Sequence, residues 1–206
     1  MPINRENAAP LFVELIPLTS TAHSTTLIRA NCRHAWVDGH NASRVRTVRF
    51  TFAAVLARRC LSFGASRSNN YRLPQVEGVA PHHFIIFLDT NDQTLRIRST
   101  CAAGLFISTD KQADMHLVNQ NDTVRLVSAM KILVGDTGID FKIVLPPSNT
   151  RHYESSLTSY LESIDEHMAN TARAFSPEAC AVVSRKRQAS THDVEHKAKK
   201  RLRSDD

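Results

Sequence analysis

Aromatic side chains make up only 6% of this 206-residue sequence, with a single Trp, so there is little material for stacking bases or building a sugar platform. Its four cysteines, Cys32, Cys60, Cys101 and Cys180, lie far apart with no CxxC. That spacing argues against both a zinc site and a disulfide framework; reduced thiols are expected, with Cys60 and Cys101 in the core. Apolar runs are short, none near the length a membrane span needs, and MPINRENAAP is not a cationic segment leading into an apolar one. A soluble, intracellular protein without membrane contact is expected. Also missing are GxxxxGK[ST], GxSxG, HExxH and the kinase HRD and DFG elements, so no enzyme activity and no cofactor are expected.

What is present is unevenly charged. The formal net charge is +6, but eight of the 26 basic residues and four of the 20 acidic ones fall between Ser184 and Asp206, leaving 18 and 16 in the body. The body is nearly neutral and the basic character belongs to the C-terminal segment. There Arg185, Lys186 and Arg187 precede a nine-residue polar spacer, and Lys197, Lys199, Lys200, Arg201 and Arg203 follow. This is the pattern of a bipartite nuclear localisation signal, which predicts a nuclear protein that engages an import receptor. The same cationic run permits nonspecific nucleic-acid contact.

The middle of the chain reads as short strands. Leu11 to Pro17 is apolar and closed by proline. In Val45 to Phe52 the apolar Val48, Phe50 and Phe52 alternate with Thr47, Arg49 and Thr51. Phe84 to Leu88 runs into the turn Asp89-Thr90-Asn91-Asp92 and returns as Thr94 to Arg98, while Ile132 to Val134 and Phe141 to Leu145 flank a second Gly/Asp turn. Many short strands at close spacing predict an all-β sandwich over 11–147. An N-terminal tail over 1–10 precedes it. Residues 18–43, rich in Ser, Thr, His and Asn, read as an inserted loop or a loop with a short hairpin. After Pro146-Pro147, the residues Leu157, Tyr160, Leu161, Ile164 and Met168 recur at helical spacing, predicting an amphipathic helix over 152–173. From 176 to 206 too few apolar residues remain to offset the entropy of ordering, so a disordered tail is expected.

Two stretches merit closer reading: the small-residue turn Phe63-Gly64-Ala65-Ser66, and Val79-Ala80-Pro81-His82-His83-Phe84 some fifteen residues later. Neighbouring strand residues point to opposite faces, so His82 and His83 do not converge on one metal ion; His83 is expected to be structural and His82 exposed. Cys32-Arg33-His34 with His40 has no further Cys or His cluster to complete four ligands. No metal site is expected.

With Ala102-Ala103-Gly104-Leu105 and the segments DTVRL, KILVG and FKIVL, these stretches give Leu11 to Pro146 an order and spacing that resemble a forkhead-associated (FHA) domain, the β-sandwich module that binds phosphothreonine peptides. The resemblance implies that Gly64, His83 and Gly104 hold the peptide-facing loops in shape. It also implies that the family's two phosphate-binding arginines fall at Ala65 and Pro81, its pocket serine at Ala80 and its peptide-gripping asparagine at Ala103. None of these supplies a charge-assisted donor of the kind a phosphate requires. The expected function is therefore a nuclear protein-interaction module whose partner-binding edge comprises Ser66, Arg67, Arg72, His82 and Arg98 and works without the usual phosphothreonine pocket. The competing readings are a phosphoprotein-binding adaptor that uses displaced arginines and a nucleic-acid-associated protein that uses the basic tail.

Overall fold

The computed structural model describes residues 10–37, 46–56, 59–108 and 114–174, with side chains as far as residue 166. The described residues form twelve strands: β1 (Leu11–Pro17), β2 (Ala35–Val37), β3 (Arg46–Thr51), β4 (Cys60–Gly64), β5 (Tyr71–Arg72), β6 (Phe84–Asp89), β7 (Thr94–Ser99), β8 (Leu105–Ser108), β9 (His116–Val118), β10 (Thr123–Arg125), β11 (Lys131–Leu133) and β12 (Asp140–Val144). Three helices join them: α1 (Ser20–Thr26), α2 (Phe52–Leu56) and α3 (Arg151–Ala174). One sheet has the order β2-β3-β1-β12-β11-β8-β9 and the other β10-β7-β6-β4-β5. The expected all-β sandwich followed by a helix is what forms.

Alternation decides which residues fill the space between the sheets. Val13, Leu15, Val48, Phe50, Ile132, Phe141 and Ile143 point inward from one sheet, and Leu61, Phe63, Phe84, Ile86 and Ile97 from the other, all of them buried. Phe63 stacks on Phe84 at 4.4 Å, and Phe50 and Tyr71 meet Phe63 at 5.6 and 5.7 Å. A register shift between Leu11 and Val13 lets Phe12 leave the inner face. Its ring meets Phe52 edge-on at 5.3 Å and lies 6.4 Å from Tyr160 of α3. Tyr153 joins Phe52 at 5.3 Å, so an aromatic joint fastens the first turns of α3 to the sandwich.

Contacts divide the chain into two compact units, Met1–Leu161 and Glu162–Asp206. The first holds both sheets and the start of α3, so the boundary falls inside the helix expected over 152–173. Of the second, only the continuation of α3 is described. The tail over 176–206, with its basic clusters, and residues 1–9 lie outside the described residues.

The 18–43 stretch is not a plain loop. It contains α1, a 3-10 turn over Arg29–His34, and β2, which extends the larger sheet beside β3. Thr19 caps α1, its hydroxyl accepting from the Ala22 N–H and donating to the Gly138 carbonyl. Residues 38–43 are outside the described set. Cys60 and Cys101, expected in the core, are half-buried. Cys60 opens β4 at the sheet margin, and Cys101 sits in a turn where its sulfur accepts from the Ala103 N–H. No described helix is long and apolar enough to cross a membrane.

Candidate functional site

Three loops meet at one end of the sandwich: β4–β5, β5–β6 and β7–β8. Gly64 sets the spacing of the first two. A Cβ there would lie 2.3 Å from the Pro81 carbonyl oxygen and 2.9 Å from that of Ala80, so only a residue without a side chain admits this approach. The proximity is used: Ala65 N–H donates to Ala80 O and Ser66 N–H to Pro81 O, each at 3.0 Å. Asn69 is buried between the same loops. Its Nδ2 donates to Pro81 O at 2.7 Å and Ser66 O at 3.1 Å. With both amide protons spent, its Oδ1 is the acceptor for His82 Nδ1 at 2.8 Å.

His83 ties in the third loop. Its Nδ1 accepts from the Ala80 N–H at 3.2 Å, which leaves the proton on Nε2 to donate to Gly104 O at 2.9 Å. The Thr100 N–H donates to the His83 carbonyl at 2.9 Å. This neutral tautomer satisfies both neighbours, whereas a second proton on Nδ1 would face an N–H. Burial drives the pKa of the ring below the ordinary histidine value, opposed only in part by the bond to Gly104. Gly104 itself has φ +73° and lies beneath the Leu117 side chain. Gly64, His83 and Gly104 thus gather at one rim.

A second support lies behind the rim. Asn31, fully buried in the 3-10 turn, accepts from the Arg72 N–H at 2.8 Å and donates to the Arg72 carbonyl at 2.7 Å and the Thr25 carbonyl at 2.8 Å. Thr25 commits its hydroxyl proton to Ala22 O, so the Tyr71 phenol donates to Thr25 Oγ1 at 2.7 Å. Burial pushes the Tyr71 pKa up to about 12. These are structural residues that sequence reading missed. The only available signal was the apolar-polar-apolar run Tyr71-Arg72-Leu73, too short to identify a strand.

The residues expected at the binding edge are distributed as follows. Ser66 and Ser68 share a hydroxyl hydrogen bond of 2.8 Å, with exposed Arg67 between them. Arg67 forms no ion pair with a described residue. Arg72 turns its Nε toward the Ala65 carbonyl at 3.3 Å, and exposed His82 is held by Asn69. Ser66, Arg67 and His82 lie on the joined loops, and Arg72 ends β5 beside them. Arg98 does not join them: from β7 its guanidinium lies 5.0 Å over the Phe87 ring and its Nε donates to Thr123 Oγ1. Among the described residues no three His, Cys, Asp or Glu side chains gather as a metal site.

No family model matches the chain, and no curated protein matches its sequence. Solved structures do resemble it. An engineered FHA domain solved with a Myc-pTBD peptide is 16% identical, covers 71% of this chain and 98% of its own, and gives a TM-score of 0.46. The FHA1 domain of yeast Rad53 is 15% identical over 75% of this chain and 87% of its own, again at 0.46. The N-terminal FHA domain of Saccharomyces cerevisiae Rad53, in complex with a phosphothreonine peptide, is 17% identical over 66% of this chain and 94% of its own, at 0.43. All three are FHA domains, and the two-sheet sandwich of this chain is similar to theirs at low sequence identity.

Proposed function

We propose that the chain is a non-enzymatic protein-interaction module that grips a partner segment at the rim of its FHA-like sandwich without the usual phosphothreonine pocket. One observation supports the reading: the loops built around Gly64, His83 and Gly104 are braced to one another. The positions that the family resemblance gives to the phosphate donors are Ala65, Ala80 and Pro81, and the one it gives to the peptide-gripping asparagine is Ala103. A doubly charged phosphate sheds water only for charge-assisted donors, and these side chains offer none. Recognition then falls to hydrogen bonds and apolar contact. Binding of the full chain to its cellular partners should survive phosphatase treatment of the lysate; abolition by phosphatase would refute the proposal.

A second reading rests on Arg67. An exposed guanidinium flanked by two hydroxyls has the chemistry of a displaced anion grip. It predicts phosphopeptide binding that Arg67→Ala removes, measured by fluorescence anisotropy with paired phosphorylated and unphosphorylated peptides.

The basic clusters supply the cellular address in this proposal: an acidic import-receptor groove fits the two cationic runs and their polar spacer, and the module acts in the nucleus. Replacing Lys199, Lys200 and Arg201 by Ala in a reporter fusion should abolish nuclear accumulation. If nucleic acid is the true partner, binding will instead be steeply salt-dependent and will disappear when 184–206 are deleted.

A further inference from the structure

A sheet face beside the rim carries unpaired apolar surface. Leu117 of β9 stands opposite Phe106 of β8, and Phe106 opposite Leu133 of β11, so three apolar side chains form a row across adjacent strands. Leu117 is 50% exposed and the nearby Met115 37%, although the sheet's inner face is packed with buried Leu105, Ile107, Val118 and Ile132. Phe106 and Leu133 are half-buried, and an apolar row whose Leu117 end stands in solvent marks a contact surface.

Phe106 also lines a cleft of about 470 Å³ with Glu77, Gly78, Ala103, Gly135 and Asp136. The β5–β6 and β11–β12 loops come so close that a Cβ on Gly135 would lie 3.2 Å from the Gly78 carbonyl oxygen. That approach brings exposed Glu77 and Asp136 to a common cleft, which no described Lys, Arg or His lines. Neither carboxylate is in an ion pair with a described residue. Two exposed carboxylates therefore stand at the cleft end of the apolar row, with exposed Lys131 farther along the same face of β11.

We infer that the Leu117–Phe106–Leu133 row and the Glu77/Asp136 cleft form one docking surface for an unphosphorylated partner segment that pairs an apolar side chain with a Lys or Arg. The apolar side chain covers the row, and the cation enters the cleft through charge complementarity. A phosphorylated or acidic segment meets like charge there and is rejected. This assignment rests on the reading of the chain as a partner-binding module and names the chemistry of the partner.

The test uses the full chain and fluorescein-labelled nine-residue peptide pools. Each pool fixes Leu and, two residues away, Arg, Glu or phosphothreonine, and binding is read by anisotropy. The Leu/Arg pool should bind best and weaken as salt is raised. The double variant Glu77→Lys, Asp136→Lys should lower its affinity by about tenfold, as should Leu117→Lys. All three positions are exposed, and thermal melting of each variant checks that the sandwich persists. Preference for the Glu or phosphothreonine pool overturns the inference. Leu/Arg binding that ignores all three substitutions also overturns it, while leaving the module reading intact. Failure of every pool to bind counts against both.

Discussion

The carboxamide of Asn31 takes the place of a neighbouring strand for Arg72, accepting from its N–H and donating to its carbonyl. The side chain is fully buried, so removing it leaves the part-buried Arg72 N–H and carbonyl without their partner, while the Thr25 carbonyl keeps the Ile28 N–H. Asn31→Ala should cost about 2–4 kcal/mol in urea unfolding. Asn31→Asp should cost at least as much, because it exchanges the donor for a buried charge. A loss under 1 kcal/mol for either would show that water reaches these groups.

Acid should weaken the rim. His83 is held neutral with its pKa below the ordinary value of 6.5, and His34, packed 4.6 Å from Phe50 beside Arg33, is pulled down to about 4 by burial and by that guanidinium. Between the folded and unfolded values the unfolded chain binds more protons, so stability rises with pH across that window. The contribution is complete above pH 6.5 and is lost as pH falls from 6.5 toward 4. Denaturant midpoints at pH 8, 6 and 4.5 should decline in that order, and His34→Phe should flatten the decline. A midpoint constant from pH 8 to 4.5 would contradict the lowered pKa of both rings.

The two rim glycines should respond differently to a methyl group. Gly64→Ala drives a Cβ into the Pro81 carbonyl, a main-chain group held by two hydrogen bonds, and should cost about 3 kcal/mol or more. Gly104→Ala meets chiefly the mobile end of Leu117 at a positive φ, and should cost about 1–2 kcal/mol. Equal losses in thermal melting would mean that the loops yield at Gly64.

The start of α3 should behave as part of the sandwich. Tyr160 is 1% exposed and lies 5.9 Å from the Phe52 ring. Tyr160→Ala should destabilise by about 3–5 kcal/mol. Truncation after residue 150 should do so at least as strongly, as followed by melting of the sheet signal in circular dichroism.

Much of the sandwich was legible because its strands expose a period of two: Val48 and Phe50 in β3, and Leu95 and Ile97 in β7, are buried as the alternation required. The tight Asp/Asn turn between β6 and β7 fixed their register. Of the site, Gly64, His83 and Gly104 were legible only through the resemblance to FHA domains. The α1 segment was not, because STAHSTT has no apolar stripe and a single good helix former, Ala22. It forms where Ala22 and Thr25 are buried by the sheets, while Ser24, Thr25 and Thr26 return their hydroxyls to carbonyls one turn back. Arg98 was placed at the rim from sequence order, but its register opposite Thr123 and Ile85 commits it to the outer face of the smaller sheet. Asn31 left no local trace, since its partner lies 41 residues away.

The amide clamp on Arg72 has a further outcome for how this molecule meets copies of itself. A bare sheet margin invites another chain to add on, and proteins guard such margins with charge, proline or a cover. Here the smaller sheet ends in a two-residue strand whose outward main-chain groups are already occupied by Asn31, so that border offers no template for intermolecular pairing.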